Sequence, residues 1–93
     1  MFEYKLEEKK SRFAVYYENE EIGEISFVKT GEPLLIIGHT DVDPKWKGHS
    51  IGNELVQKVV DFAIANNGKI IPLRPFAKKV FERTPAYSAV YSK

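Results

Sequence analysis

Apolar and polar residues alternate along the first third of the chain, and this period of two predicts β-strands. Phe13 and Val15 fall on one side of a strand over Arg12–Glu18. A second alternating segment covers Glu21–Lys29 after a short polar turn, so the two segments predict a hairpin. Gly23, inside the second strand, indicates a bulge or a close approach of another backbone.

A third strand and a long helix follow. The turn over residues 30–33 leads into a strand over Leu34–Val42, which completes an antiparallel meander. From Ser50 the pattern has a helical period. Its apolar stripe consists of Ile51, Leu55, Val59 and Phe62. The helix ends at Asn66-Asn67-Gly68, where Gly68 is expected to take the left-handed conformation after the helix terminus.

Two shorter elements complete the pattern. Lys69–Pro72 predicts a short strand, and Phe76–Arg83 predicts a second helix. The first ten residues carry no decisive pattern, and Thr84–Lys93 forms a tail that contains Tyr87 and Tyr91. The predicted order is β-β-β-α-β-α, an α+β fold with helices packed on a mixed sheet. Ninety-three residues predict a single domain over residues 1–93.

Composition narrows the functional classes. The chain is 43% hydrophobic and 29% charged, which is typical of a globular protein, and its net charge of +1 argues against general nucleic-acid binding. It has no cysteine, which excludes disulfides, cysteine zinc sites and a cysteine nucleophile, and His39 and His49 are too few for a metal cluster. The longest apolar run, Leu34–Ile37, is far shorter than the roughly 20 residues of a membrane span. Without a signal-like N-terminus, the chain is expected to be cytoplasmic, with neither membrane nor nucleic acid as a partner.

The segment between the third strand and the first helix concentrates small and basic residues. It reads Lys47-Gly48-His49-Ser50-Ile51-Gly52-Asn53. A helix N-terminus carries unbonded N–H groups and a partial positive charge, and small residues allow an anion to approach them. Lys45, Lys47 and His49 add local positive charge. The spacing alone leaves two interpretations: a phosphate-binding loop, or a tight turn in which Gly48 and Gly52 allow the helix to pack on the sheet.

This loop resembles the acetyl-CoA pyrophosphate loop of the GCN5-related N-acetyltransferases, whose pattern is Arg/Gln-x-x-Gly-x-Gly/Ala. Lys47 takes the Arg/Gln place, Ser50 the first glycine and Gly52 the second. Three further segments resemble the small single-domain subfamily of these enzymes, in the same order along the chain. They are His39-Thr40-Asp41-Val42, Ile71-Pro72-Leu73-Arg74-Pro75-Phe76 and Pro85-Ala86-Tyr87.

The resemblance implies a V-shaped mixed sheet whose opening holds the pantetheine arm of acetyl-CoA against the strand at His39–Val42. It implies that the pyrophosphate lies on the loop's N–H groups and that an N–H near Asp41 or Val42 binds the thioester carbonyl. The predicted cofactor-binding residues are Thr40, Val42, Lys47, Gly48, His49, Ser50, Ile51, Gly52, Asn53, Arg74 and Phe76. The implied activity is direct transfer of acetyl from acetyl-CoA to an unidentified primary amine, by a monomer or weak homodimer.

Two positions depart from the family pattern. Arg74 stands where the subfamily has a cysteine, so an acyl-cysteine intermediate is impossible. An arginine stays protonated, and Arg74 is therefore expected to bind a phosphate or an acidic substrate. In the alternative interpretation it is a surface arginine beside two prolines. Phe81 stands where many members of the wider family carry a tyrosine that protonates the leaving thiolate. Tyr87 and Tyr91 are the candidates that replace this acid, and in the alternative interpretation each is only a packed or surface aromatic residue.

Acetylation requires a neutral amine, and a lysine-type amine has a pKa of about 10.4, so a nearby base is expected. His39 and Asp41 are the candidates, because they share one face of their strand. In the alternative interpretation, His39 is a half-buried histidine with satisfied hydrogen bonds and Asp41 begins a turn. The missing cysteine and tyrosine favour an alternative function, a non-catalytic CoA- or acyl-CoA-binding or protein-interaction module.

Overall fold

The computed structural model describes residues 1–31 and 33–92. Glu32 in the predicted turn and Lys93 in the predicted tail lie outside the described residues. The strands are β1 Phe2–Glu7, β2 Arg12–Tyr17, β3 Glu20–Lys29, β4 Leu34–Val42 and β5 Lys69–Pro72, and the helices are α1 Ile51–Ala65 and α2 Pro75–Arg83. The five strands form one mixed sheet, so the predicted α+β class is confirmed.

The strand β1 was not assigned from the sequence. It pairs antiparallel with β2, from Phe2 opposite Tyr17 to Glu7 opposite Arg12. Phe2, Tyr4 and Leu6 are half-buried and pack against the core. The sheet is therefore one strand wider at this edge than the predicted order, and the strands run in the order β1-β2-β3-β4-β5.

The strands β4 and β5 separate partway along their length. Strands β1 to β4 are antiparallel, whereas β5 runs parallel to β4 and pairs with it only from Leu34 to Ile37. The strand β4 continues to Val42, so its second half has a free edge toward β5. This gap corresponds to the opening that the family resemblance implies.

One face of the sheet supports the hydrophobic core. The strands contribute Phe13, Val15, Ile25, Phe27, Leu35 and Ile37, and α1 contributes Ile51, Leu55, Val56, Val59 and Val60. Ala77, Val80 and Phe81 of α2 join the same cluster. The opposite face is polar, and Arg12 is the buried charged residue that its carboxylates surround. Among residues 1–31 and 33–92, no helix has the length and apolar character needed to cross a membrane.

The expectation for Gly68 is wrong, and that for Gly23 is confirmed. Asn67 takes the left-handed conformation after α1, with φ of 55°, and Gly68 instead lies where a Cβ would meet the Pro33 carbonyl oxygen at 3.1 Å. At Gly23 a Cβ would lie 2.9 Å from the Asp41 carbonyl oxygen, so the neighbouring backbone excludes any side chain.

Candidate functional site

A pocket of about 380 Å³ opens between the second half of β4, the loop that leads into α1, and α2. Its lining residues are Thr40, Val42, Trp46, Lys47, Gly48, Ser50, Ile51, Gly52, Asn53, Phe76 and Arg83. They include every predicted cofactor-binding residue except His49 and Arg74. The volume lies within the usual range for small-molecule sites.

The loop into α1 leaves the start of the helix uncapped. Gly48 has φ of 87° and Ser50 has φ of 57°, both in the left-handed region. The Ser50 side chain makes no capping hydrogen bond, and the first intrahelical bond runs from the Glu54 N–H to the Ser50 carbonyl at 3.0 Å. The N–H groups of residues 51–53 therefore precede the hydrogen-bonded part of the helix. Together with the helix dipole they make this wall of the pocket suited to an anion.

Gly52 brings the two helices into contact at the pocket. A Cβ at this position would lie 2.7 Å from Cζ of Phe76, the second residue of α2. Gly52 thus permits close packing, as one interpretation of the sequence proposed, and it also lines the pocket. The packing and binding interpretations of this glycine are compatible.

Arg83 supplies a positive charge that sequence reasoning missed. It lines the pocket from the last turn of α2, seven residues after Phe76 and on the same helical face. An arginine at a helix C-terminus is ordinarily explained by the helix dipole alone. The seven-residue spacing from Phe76 was the only sequence signal that pointed to the pocket.

A β-bulge determines which β4 side chains face the pocket. The β3–β4 pairing passes from Ile25 opposite Thr40 to Phe27 opposite Ile37, so two β4 residues, 38 and 39, lie opposite Ser26. Beyond the bulge, Thr40 lines the pocket. Its Oγ1 is buried and has no hydrogen-bond partner among the described residues.

His39 and Asp41 share a face of β4, as predicted, but it is the polar face opposite the pocket. The His39 Nδ1 lies 3.1 Å from Ser26 Oγ, and its Nε2 lies 3.0 Å from Glu24 Oε2. Arg12 donates to Glu24 Oε1 at 2.8 Å, and Arg12 and then His39 hold the pKa of Glu24 below its ordinary value. Asp41 is exposed and lies opposite Glu24 in the sheet register. Both imidazole nitrogens are therefore engaged, as the alternative interpretation of His39 expected, but the side chain is exposed and not half-buried.

The structure does not bring His49 or Arg74 to the pocket. The His49 ring lies 5.4 Å from the Trp46 ring and 5.8 Å from the Phe2 ring, centroid to centroid. This aromatic packing turns it toward β1. Arg74 is exposed just before α2, where its carbonyl accepts the Lys78 N–H as part of the helix start.

Tyr87 also lies elsewhere. Its ring is buried against Phe81, and its hydroxyl donates to Gln57 Oε1 at 2.6 Å. Burial, with the charges of Asp61 and Glu54, raises the pKa of this phenol. Its packing ties the C-terminal tail to α1, and Tyr87 is absent from the residues that line the pocket.

Comparisons with known proteins agree with this geometry. A family model described as GCN5-related N-acetyl-transferase matches residues 12–90. The NMR structure of a GCN5-like protein from Staphylococcus aureus is 32% identical, with a TM-score of 0.78, and the match covers 97% of this chain and 87% of that one. A comparison with curated proteins finds no match.

Two more distant structures share the fold. Neisseria gonorrhoeae N-acetylglutamate synthase, solved with coenzyme A and N-acetyl-glutamate, is 15% identical with a TM-score of 0.68, and the match covers 82% of this chain and 19% of that one. A Bacillus anthracis structure in complex with acetyl coenzyme A is 22% identical with a TM-score of 0.62, and the match covers 77% and 44%. This chain is thus much shorter than either protein.

Proposed function

Because the chain belongs to the GCN5-related N-acetyltransferase family, we propose that it binds acetyl-CoA and transfers the acetyl group directly to a primary amine. Residues 1–93 act as one domain in this proposal. The observation that carries it is the pocket between the free edge of β4 and the uncapped start of α1. The presence of coenzyme A or acetyl coenzyme A in two structures of the same fold supports the choice of cofactor.

The residues present suit such a cofactor. The free N–H groups at residues 51–53, with Lys47 and Arg83, offer hydrogen bonds and positive charge to a diphosphate. The free edge of β4 offers unpaired backbone groups to the amides of a pantetheine arm. The unpartnered Thr40 Oγ1 marks a polar position in the same wall.

When bound, acetyl-CoA supplies the acetyl thioester. The chain's residues position the thioester and accept the proton that the amine loses. With no cysteine in the chain, the amine attacks the thioester itself, so the nitrogen must be neutral. His39 and Asp41 are the candidate bases, and they lie on the other face of β4 from the pocket. An amine that reaches the gap beyond Ile37 can meet both the thioester and this polar face.

Titration calorimetry of the purified protein with acetyl-CoA and with CoA tests the binding step. Heats that fit one site are expected, and a folded sample with no heat at high micromolar ligand would reject the proposal. Transfer is measured with a panel of primary amines by the release of free thiol. Because the chain contains no cysteine, every thiol detected comes from CoA.

A specific observation favours a second candidate, a CoA- or acyl-CoA-binding module without catalysis. Phe81 is buried in the core, and the hydroxyl of Tyr87 is occupied by Gln57, so neither supplies an acid for the thiolate. Ligand binding without thiol release, across the amine panel and between pH 6 and pH 10, would select this alternative.

A further inference from the structure

Three side chains form a connected hydrogen-bond chain on the polar face of the sheet. Ser26 Oγ lies 3.1 Å from His39 Nδ1, and His39 Nε2 lies 3.0 Å from the Glu24 carboxylate. An ionised carboxylate only accepts hydrogen bonds, so Nε2 carries the hydrogen and Nδ1 accepts from the Ser26 hydroxyl. A hydroxyl, a base and a group that orients the base are the parts that activate a proton-transfer site.

This arrangement prevents His39 from meeting a substrate directly, since both of its ring nitrogens are occupied. We propose that Ser26 is the group that contacts the acceptor amine and relays its proton to His39, with Glu24 as the positioning residue. The proposal rests on the proposed transferase function and names the route by which the same reaction loses its proton.

The contacts of Glu24 fix the direction of the hydrogen bonds that join Ser26, His39 and Glu24. Arg12 is nearly buried and donates to Glu24 at 2.8 Å, to Glu21 at 2.8 and 2.9 Å, and to Glu7 at 2.8 Å. This fixed cation holds Glu24 as a carboxylate at one end of the imidazole. The charged groups around His39 are Glu24 on the adjacent strand β3, Arg12 on β2, which reaches His39 only through Glu24, and Asp41 on its own strand.

The bulge brings Ser26 close to the gap between β4 and β5. A Cβ on Gly38 would lie 2.6 Å from Ser26 Oγ, so the hydroxyl fills the space that a side chain at position 38 would need. Residue 38 is also the first β4 residue beyond the last β4–β5 pair, Ile37 with Pro72. The hydroxyl thus lies over the backbone where the two strands part.

Ser26 Oγ has the number of hydrogen-bonding positions that a proton relay needs. Its oxygen accepts the His39 backbone N–H at 3.0 Å and its hydrogen goes to Nδ1, which leaves one lone pair for an amine N–H. As the new N–C bond forms and the C–S bond breaks, Oγ accepts a proton from the nitrogen and passes its own to Nδ1. The thiolate leaves with the electron pair of the C–S bond, and the imidazolium beside Glu24 then gives its proton to the thiolate or to water.

Steady-state kinetics of three variants test the relay in the full chain. Ser26→Ala should lower kcat by about 100-fold, the lower end of the range for acid–base groups, with the KM for acetyl-CoA unchanged. Ser26→Thr keeps a hydroxyl and should restore most of the rate. Ser88→Ala, at an exposed serine of the tail, is the matched control and should behave as wild type. A wild-type kcat for Ser26→Ala would overturn the relay.

Glu24→Gln tests whether Glu24 positions His39 for proton transfer or only stabilises the fold. Loss of the carboxylate disfavours the imidazolium, so the rise of kcat/KM with pH should move to lower pH and the maximal rate should fall. A structural role alone would lower the unfolding midpoint and leave the position of the pH profile unchanged, and that result would overturn the assignment of Glu24.

A measurement without turnover distinguishes failure of the relay from failure of the transferase proposal. Nitrogen NMR of histidine-labelled protein should show His39 with hydrogen on Nε2 in wild type and a changed Nδ1 resonance in Ser26→Ala, with His49 as internal reference. A wild-type spectrum in which His39 carries its hydrogen on Nδ1 overturns the relay whatever the activity. This NMR pattern, combined with no binding of acetyl-CoA, supports the hydrogen-bond chain and rejects the transferase proposal.

Discussion

At the scale of single residues, position 48 favours glycine because of its backbone conformation and not because a side chain would lack space. Its φ is 87°, and no atom lies within 4 Å of the position where a Cβ would be. Gly48→Ala should therefore cost about 1–2 kcal/mol of unfolding free energy through backbone strain. It should also weaken acetyl-CoA binding several-fold, because the strained loop no longer presents the start of α1. Denaturant unfolding and titration calorimetry measure the two effects.

Gly31→Ala is the matched control for this variant. A Cβ at position 31 meets nothing within 4 Å, and Gly31 does not have the left-handed φ. Unfolding free energy and affinity should both stay at wild-type values. Equal losses in the two alanine variants would mean that the conformation of residue 48 has no special role.

Arg83 adds a side-chain charge to the pocket wall that is proposed to bind the diphosphate. It lines the pocket from α2 and has no ion pair among the described contacts. We expect Arg83→Gln to weaken binding of CoA by about three- to tenfold, the range for an exposed charge-assisted contact. Binding of dephospho-CoA, which keeps the diphosphate and lacks the separate phosphomonoester, should weaken by the same factor. Arg74→Gln, outside the pocket, serves as control, and a loss confined to CoA would contradict the assignment to the diphosphate.

Whether a site residue could be assigned from the sequence depends on whether its contacts are local along the chain. The loop residues 47–53 are contiguous, so one strand-to-helix pattern was enough to predict them. The position of the Tyr87 hydroxyl depends on its hydrogen bond to Gln57, thirty positions away, and no local pattern encodes that bond. His49 was assigned by its charge, whereas aromatic packing on Trp46 and Phe2 decides its position.

At the scale of elements, the network around Arg12 joins the ends of β1, β2 and β3. Arg12 bonds Glu7, Glu21 and Glu24, and Tyr16 donates to Glu7. Tyr16 first and Arg12 second lower the pKa of Glu7, and Arg12 with His39 lowers that of Glu24. The folded state therefore binds fewer protons than the unfolded chain near the ordinary carboxyl pKa of 4.5.

The pH dependence of stability follows from this network. The stabilisation is fully present above the unfolded pKa, and it should decline from about pH 5 downward as Glu7 and Glu24 take up protons at their lowered pKa values. Arg12→Met should reduce stability at pH 7 and flatten the decline in acid. Denaturant titrations from pH 3 to pH 7 measure how the free energy of unfolding changes with pH in wild type and in Arg12→Met. Glu3→Gln is a control outside the network. Parallel slopes in wild type and Arg12→Met would contradict this account.

Most elements could be predicted because their patterns are local, and the exceptions have physical causes. The predicted strands over 34–42 and 69–72 agree with β4 and β5 to the residue. The strand β1 could have been predicted, because Phe2, Tyr4 and Leu6 alternate with charged residues over its whole length, and its pairing with β2 agrees with that pattern. The β4 bulge was invisible because it depends on the register with β3, and it decides that His39 and Asp41 face away from the pocket.

At the scale of the whole molecule, a short chain buries a modest fraction of its surface, so the proposed ligand should add a large share to its stability. Acetyl-CoA at a hundred times its Kd should add about 2.7 kcal/mol. For a chain of this length, that corresponds to a rise in Tm of roughly 10–20 °C. Calorimetric melting with increasing acetyl-CoA measures the shift, and Gly48→Ala should need more ligand for the same rise.

The dependence on ligand structure distinguishes the pocket from nonspecific stabilisation. The two walls that would bind acetyl-CoA belong to different elements, the start of α1 and the free edge of β4, and α2 contacts the first of them through Phe76 and Gly52. A ligand that spans the walls ties these elements together, so CoA should raise Tm more than pantetheine, which lacks the phosphates, or adenosine diphosphate, which lacks the arm. Equal shifts from all three would mean that the pocket does not act as one site. A graded order would show that the sheet opening and the helix start bind a single molecule.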